Sequence, residues 1–167
     1  DKIRALADHP ARAKLVWHCI GPVQGNKTRL VAEHFDWVQS IDRLKIAQRL
    51  SDQRPTHLPP LQVCLQVNVD GGANKSGVSP EELPALAHAV AALPRLRLRG
   101  LMCIPEPASG FDAEKALFMR AKAQWDALNA QGLALDTLSM GMSADLEAAV
   151  AAGATLVRVG TAIFGVR

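Results

Sequence analysis

The chain has no tyrosine, and its aromatic residues make up only 4% of 167 residues. Stacking platforms of the kind that grip single-stranded nucleic acid are therefore scarce. Three cysteines are present, Cys19, Cys64 and Cys103; none forms a CxxC pair, and each falls within an apolar, strand-like run. This argues against a disulfide framework or a thiolate metal site and points to reduced core residues, hence a cytoplasmic protein. There is no HExxH spacing, and His34, His57 and His88 fall on expected helices or loops without metal-ligand spacing. No apolar run approaches the ~18 residues of a membrane-spanning helix, and no signal peptide is visible. The net charge of +3 and pI near 9.0 come from Lys and Arg interspersed with Asp and Glu rather than from a block of like charge. Neither a membrane nor a nucleic-acid partner is expected.

What is present is ordinary globular composition, 49% hydrophobic and 21% charged, at a length that fits one domain with a real core. Short apolar runs alternate with helical spacing along the chain. Residues 15–20, 36–41, 61–69, 96–104, 135–140 and 156–160 read as strands. Residues 26–34, 42–50, 79–93, 111–131 and 144–152 read as helices. Leu30, Val31 and Phe35 are expected on the buried side of the first, Asp42 as the cap of the second, and Ser79 with Pro80 as the cap and first residue of the third. Strands that are continuously apolar and alternate with helices make a parallel sheet with crossover helices. Six units are too few for an eight-stranded barrel, so an open sheet or an incomplete barrel is expected. The chain starts at Asp1, inside an expected helix, and so reads as an N-terminally incomplete piece. Bare edges near Val16 and Val157 would need missing sequence or a partner to cover them.

The most informative stretch is residues 135–165, LDTLSMGMSADLEAAVAAGATLVRVGTAIFG. It reads as strand, polar turn Gly141-Met142-Ser143, short helix, strand, and small-residue turn Gly160-Thr161-Ala162. Both turns lie where a parallel strand ends, and each offers backbone N–H groups and a hydroxyl. Unpaired N–H groups at a helix start favour a phosphate dianion. Loops after the last two strands are the recurrent phosphate site of α/β barrels. Arg158, on the strand before Gly160, would point into the same cavity. By itself, Ser143 could be an N-cap accepting from Asp145 or Leu146, and Arg158 could pair with Asp136 or Glu147.

Five stretches carry a family resemblance: WHCIGPVQGNK (17–27), DRLKIAQRL (42–50), NVDGGANKSGV (68–78), RLRGLMCIPEP (97–107) and residues 136–165. Together they resemble the pyridoxal phosphate homeostasis protein family, over essentially the whole chain and in order. The resemblance implies an α/β, TIM-type barrel of the alanine racemase N-terminal-domain type, with residues 1–167 a single partial barrel domain lacking its first two strands. It implies bound pyridoxal 5'-phosphate, a role in vitamin B6 homeostasis without firm turnover, a monomer when full length, and pyridoxal-phosphate-dependent apoenzymes as recipients.

Carried over residue by residue, Ser143 resembles the phosphate-binding serine. Gly160 and Thr161 resemble the donors that complete the phosphate cup, with Met142 in the same turn. Arg158 resembles the arginine facing the pyridine nitrogen. Met102, His18 and Asn68 would line the pocket from other strand ends. The family's Schiff-base lysine is expected upstream of residue 1; Lys27 and Lys75 are loop lysines of family motifs and are not substitutes for it. His18 alone reads as a strand-end histidine, and Cys103 as a packing residue. The 74–77 turn could bind an anion as a backbone nest but reads more simply as a loop fold. The alternative is a weak amino-acid racemase, which needs two acid/base groups on opposite faces of its substrate and here has no tyrosine to serve. A sugar- or indole-phosphate barrel enzyme would carry paired carboxylates at strand ends, where this chain has Asn68 and Arg158.

Overall fold

The computed structural model describes residues 2–6, 8–71 and 76–165. Six strands form one sheet in the order β1 to β6, with every neighbouring pair parallel. They are β1 (His18–Cys19), β2 (Trp37–Ile41), β3 (Leu61–Gln66), β4 (Leu96–Met102), β5 (Thr137–Met142) and β6 (Leu156–Arg158). The helices are α1 (Lys2–Ala5), α2 (Thr28–His34), α3 (Leu44–Gln53), α4 (Leu83–Ala91), α5 (Phe111–Ala130), α6 (Leu146–Ala151) and α7 (Thr161–Phe164).

Sequential strand order with a helix in each crossover follows from the continuously apolar strands. One strand face must be covered by the apolar stripe of the next helix. The covered face is built from Val38, Ile41, Val63 and Leu65 of the strands, met by Ile46, Ala47 and Leu50 of α3, Leu83 and Val90 of α4, and Phe118 and Leu128 of α5. Phe118 is 1% exposed. Truncating such a side chain costs about 3–5 kcal/mol.

The sheet is strongly curled. β3 and β4 stand between β2 and β5, which a flat sheet would hold ~14 Å apart. Yet Ser139 of β5 hydrogen-bonds to Gln39 of β2 at 2.6 Å. The molecule is thus an incomplete barrel whose concave side carries polar side chains.

Local departures from the sequence expectation have local reasons. The first strand is two residues long, not six, because only β2 pairs with it among the described residues; Val16 is left 59% exposed. In α2 the buried side is Thr28, Val31 and Ala32, and Leu30 faces outward. Asp42 does not cap α3: the cap position is Arg43, without a side-chain bond, and Asp42 pairs with Arg43 at 3.3 Å. Ser79 does make a capping-box exchange with Glu82, accepting from its N–H at 3.3 Å and donating to its carboxylate at 3.0 Å. It caps a turn ahead of α4, so Pro80 lies in that turn and Pro84 is the proline at the helix start.

Candidate functional site

A cavity of about 590 Å3 opens at the carboxyl ends of β5 and β6. The β5 turn contributes Gly141, Met142 and Ser143, and the β6 turn contributes Gly160 and Thr161. Ile104 and Pro105, which follow β4, and Arg158 of β6 line it as well. Gly141 is required at its position on two counts. Its φ is +89°, and a Cβ there would lie 2.4 Å from the Cβ of Ala149. The turn can therefore pack directly on α6 and present Ser143 beyond it.

The two turns are joined. Ser143 Oγ accepts from the backbone N–H of Gly160 at 3.2 Å and of Ala162 at 3.4 Å, so the residues on both sides of Thr161 hold Ser143. Ser143 is not an N-cap for α6. The nearby Met142 N–H donates instead to Asp145 Oδ1 at 2.6 Å. The Ser143 bonds are long for N–H···O contacts, and in both of them Ser143 is the acceptor. An incoming anion can take over the two N–H groups and accept the Ser143 hydroxyl proton as well. Helix α6 has six residues and α7 four, so their dipoles add little; the turn N–H groups and hydroxyls are the donors.

Arg158 is 9% exposed and forms part of the cavity wall. Its Nη1 donates to Ser139 Oγ at 2.7 Å and its Nη2 to the Cys103 carbonyl at 2.8 Å. Its Nε is buried without a partner. It pairs with neither carboxylate that the sequence offered. Asp136 is engaged by Arg99 at 2.6 Å, and Glu147 is exposed on α6. Burial lowers the Arg158 pKa, with the nearby Cys103 and Asp145 acting in the other direction. A guanidinium nevertheless stays charged at neutral pH. A buried, charged group with an orphaned donor in a cavity wall fits a ligand that brings a lone pair to it.

The other expected site residues are more dispersed. Met142 is 45% exposed in the cavity wall, whereas Met102 is fully buried at the end of β4 and lines none of it. Asn68 accepts from the Gly71 N–H at 3.0 Å and borders a separate depression with Asp70 and Arg120. His18 borders another, with Lys2, Arg4 and His34. It stacks on Trp37 at 5.1 Å between ring centroids and bonds to Gln39 through Nδ1 at 2.7 Å. Lys27 does not line the cavity. Lys75 and Asn74, the first half of the 74–77 turn, lie outside the described residues.

The sequence reading leaves out Gln39 and Ser139, which reach His18 and Arg158, respectively, from inside the sheet. The available signal was a polar residue in the middle of an apolar strand, in WVQSI and TLSMGM.

Burial raises the thiols of Cys64 and Cys103 to about 12, which marks both as packing residues. Among the described residues no group of three or more His, Cys, Asp or Glu side chains is placed to hold a metal ion. No helix of the described residues is long and apolar enough to cross a membrane.

Comparison with known proteins bears on this site directly. The family model for the alanine racemase N-terminal domain matches residues 4–167. A pyridoxal phosphate homeostasis protein of Pseudomonas aeruginosa is 65% identical over 162 residues, 97% of this chain and 67% of that protein. One of Vibrio cholerae is 56% identical over 167 residues, 100% of this chain and 71% of the relative. Among solved structures, PipY of Synechococcus elongatus PCC7942 with PLP bound superposes with a TM-score of 0.87 at 38% identity, covering 98% of this chain and 76% of that one.

Proposed function

The chain belongs to the pyridoxal phosphate homeostasis protein family, with an alanine racemase N-terminal-domain fold, and we propose that it binds pyridoxal 5'-phosphate in the cavity at the ends of β5 and β6. The residues present fit that group. The phosphate is placed at Ser143, the Gly160 and Ala162 N–H groups and the Thr161 hydroxyl. The pyridine nitrogen is placed toward Arg158. The observation that carries this reading is the buried, unpartnered Nε–H of Arg158 in the wall of the cavity that Ser143 and Thr161 share.

When bound, the cofactor supplies an aldehyde and a pyridine ring able to withdraw electrons. Arg158 limits the second property. A guanidinium donates hydrogen bonds and has no proton to lose at neutral pH, so it favours the unprotonated ring nitrogen. An unprotonated ring withdraws electrons weakly, which disfavours transamination and suits a protein that holds and releases the cofactor. Among the described residues the titratable side chains lining the cavity are Glu114, Asp145 and Arg158. The weak electron withdrawal that Arg158 imposes supports a carrier role in vitamin B6 homeostasis, with apoenzymes that need the cofactor as recipients and residues 1–167 acting as one partial-barrel domain.

Titration with pyridoxal 5'-phosphate, followed by absorbance and by intrinsic tryptophan emission, tests the reading. Saturable binding that free pyridoxal reproduces only weakly is expected. Equal affinity for pyridoxal and its phosphate would remove Ser143 and Thr161 from the site. Steady racemisation of a free amino acid by the loaded protein would replace the carrier with an enzyme.

A further inference from the structure

Arg158 stands at one end of an unbroken line of side-chain hydrogen bonds that crosses the concave side of the sheet. Arg158 Nη1 meets Ser139 Oγ at 2.7 Å, Ser139 Oγ meets Gln39 Oε1 at 2.6 Å, and Gln39 Nε2 meets His18 Nδ1 at 2.7 Å. The line runs from β6 through β5 and β2 to β1. Its two central members are out of solvent, Ser139 at 0% and Gln39 at 1% exposure.

The polarity of this line follows from its first two bonds. A guanidinium only donates, so Ser139 accepts from Arg158, and the Ser139 hydroxyl donates in turn to Gln39 Oε1. Only the amide oxygen of Gln39 can take that proton. The amide nitrogen is then the atom that faces His18, and His18 Nδ1 must accept. An imidazole that accepts at Nδ1 is neutral and carries its proton on Nε2. A doubly protonated ring would set N–H against N–H unless the Gln39 amide turned over, which would break its bond from Ser139.

We infer that Gln39 and Ser139 are positioning residues that hold the Arg158 guanidinium in the cavity wall and keep His18 as the neutral, Nε2-protonated tautomer. The Arg158 half rests on the reading of that side chain as the group facing the cofactor ring; the His18 half does not. With Nη1 held by Ser139 and Nη2 held by the Cys103 carbonyl, the guanidinium plane is fixed at two points. Its Nε–H, free of any internal partner, is left for a ring acceptor.

The surroundings of His18 act on the same equilibrium. Trp37 stacks on it and carries Arg99 over its ring at 4.8 Å. Asp36 lies just ahead of β2, and Lys2 and Arg4 of α1 and His34 of α2 share its depression. Burial lowers the His18 pKa, and the charge of Asp36 opposes that.

Long-range proton–nitrogen NMR spectra of the cofactor-loaded protein read the tautomer directly. The expected pattern is a proton on Nε2, with a titration midpoint below ~6.5. In Ser139→Ala the Gln39 amide is released. The His18 midpoint is expected to move up toward ~6.5 and the absorption band of bound pyridoxal phosphate to shift, with Ser139→Thr restoring both. A wild-type His18 protonated on Nδ1 overturns the inference, as does a Ser139→Ala protein with unchanged titration and band. Should Ser139→Ala fail to fold, Gln39→Glu serves instead. A carboxylate facing Nδ1 is expected to raise the midpoint by about one unit or more, and no rise overturns the inference. Loss of cofactor binding in a protein whose His18 still shows the Nε2 pattern removes the ligand reading and upholds the His18 half of this one.

Discussion

Gln39 and Ser139, one hundred residues apart in the chain, hydrogen-bond at 2.6 Å across the concave face of the sheet. This contact ties the second strand to the fifth and places Ser139 where Arg158 can use it. The curl of the sheet and the geometry of the cavity wall are therefore one structural fact. Disturbing either changes the other.

Ser143→Ala combined with Thr161→Ala is expected to weaken pyridoxal phosphate binding about 100-fold or more. Hydrogen bonds to a charged group contribute about 1.5–3 kcal/mol each, and 1.4 kcal/mol is roughly tenfold. Fluorescence titration checks this, and an unchanged Kd would remove both residues from the site.

Arg158→Glu is expected to move the spectrum of the bound cofactor toward that of a protonated ring. A carboxylate in place of the guanidinium favours the ring N–H. The same change loses the bonds to Ser139 and the Cys103 carbonyl, so the melting temperature should fall as well. An identical spectrum in a protein that still binds would free Arg158 of its ring-facing role.

Cys64 and Cys103, both fully buried with thiols pushed up to about 12, are expected to resist iodoacetamide at pH 8 in the folded protein and to react on denaturation. Mass mapping of the alkylated peptides decides this. Rapid native labelling of Cys103 would mean that the wall behind Arg158 opens.

Asp136 is held below the usual carboxylate range, mainly by its hydrogen bond from Arg99. A lowered folded-state pKa gives stability that is present above the unfolded value near ~3.9 and is lost as pH falls through the folded value. The pair is substantially exposed, so solvent screens it and its contribution is about 1 kcal/mol at most. Asp136→Asn is expected to cost up to that amount at pH 7 and close to nothing at pH 2. Denaturant melts at the two pH values give the comparison, and an equal cost at both would assign the effect to packing.

Gly100→Ala is expected to destabilise by about 3 kcal/mol, because the new Cβ would lie 1.6 Å from the Thr137 carbonyl oxygen. That oxygen belongs to the neighbouring strand and cannot turn aside as a side chain could. A melting temperature within a degree or two of wild type would mean that β4 and β5 approach less closely than the structure shows.

Much of this was legible in the chain. The alternation of apolar runs with helical spacing predicts a parallel sheet with crossover helices, and six parallel strands are observed. The Gly-Met-Ser and Gly-Thr-Ala turns were expected to share one cavity, and Ser143 does bond to both neighbours of Thr161. Where the structure departs from the sequence pattern, a long-range partner is decisive. Leu15 and Val16 look as apolar as any strand, yet they stay exposed because pairing stops at His18. Leu30 fits a helical stripe, but the neighbours of α2 bury the turn of helix around Thr28 and Ala32 instead.

Period and turn chemistry act over a few residues, so the sequence by itself determined the order and type of the elements, the two glycine-bearing turns and the family resemblance they carry. The tertiary structure alone decided which polar side chains meet inside the sheet. His18, Gln39, Ser139 and Arg158 sit on four strands, and their contacts exist only because the sheet curls far enough to bring β2 against β5. The direction of the protons in that line then follows from a guanidinium that can only donate and a serine hydroxyl that donates to the Gln39 amide oxygen.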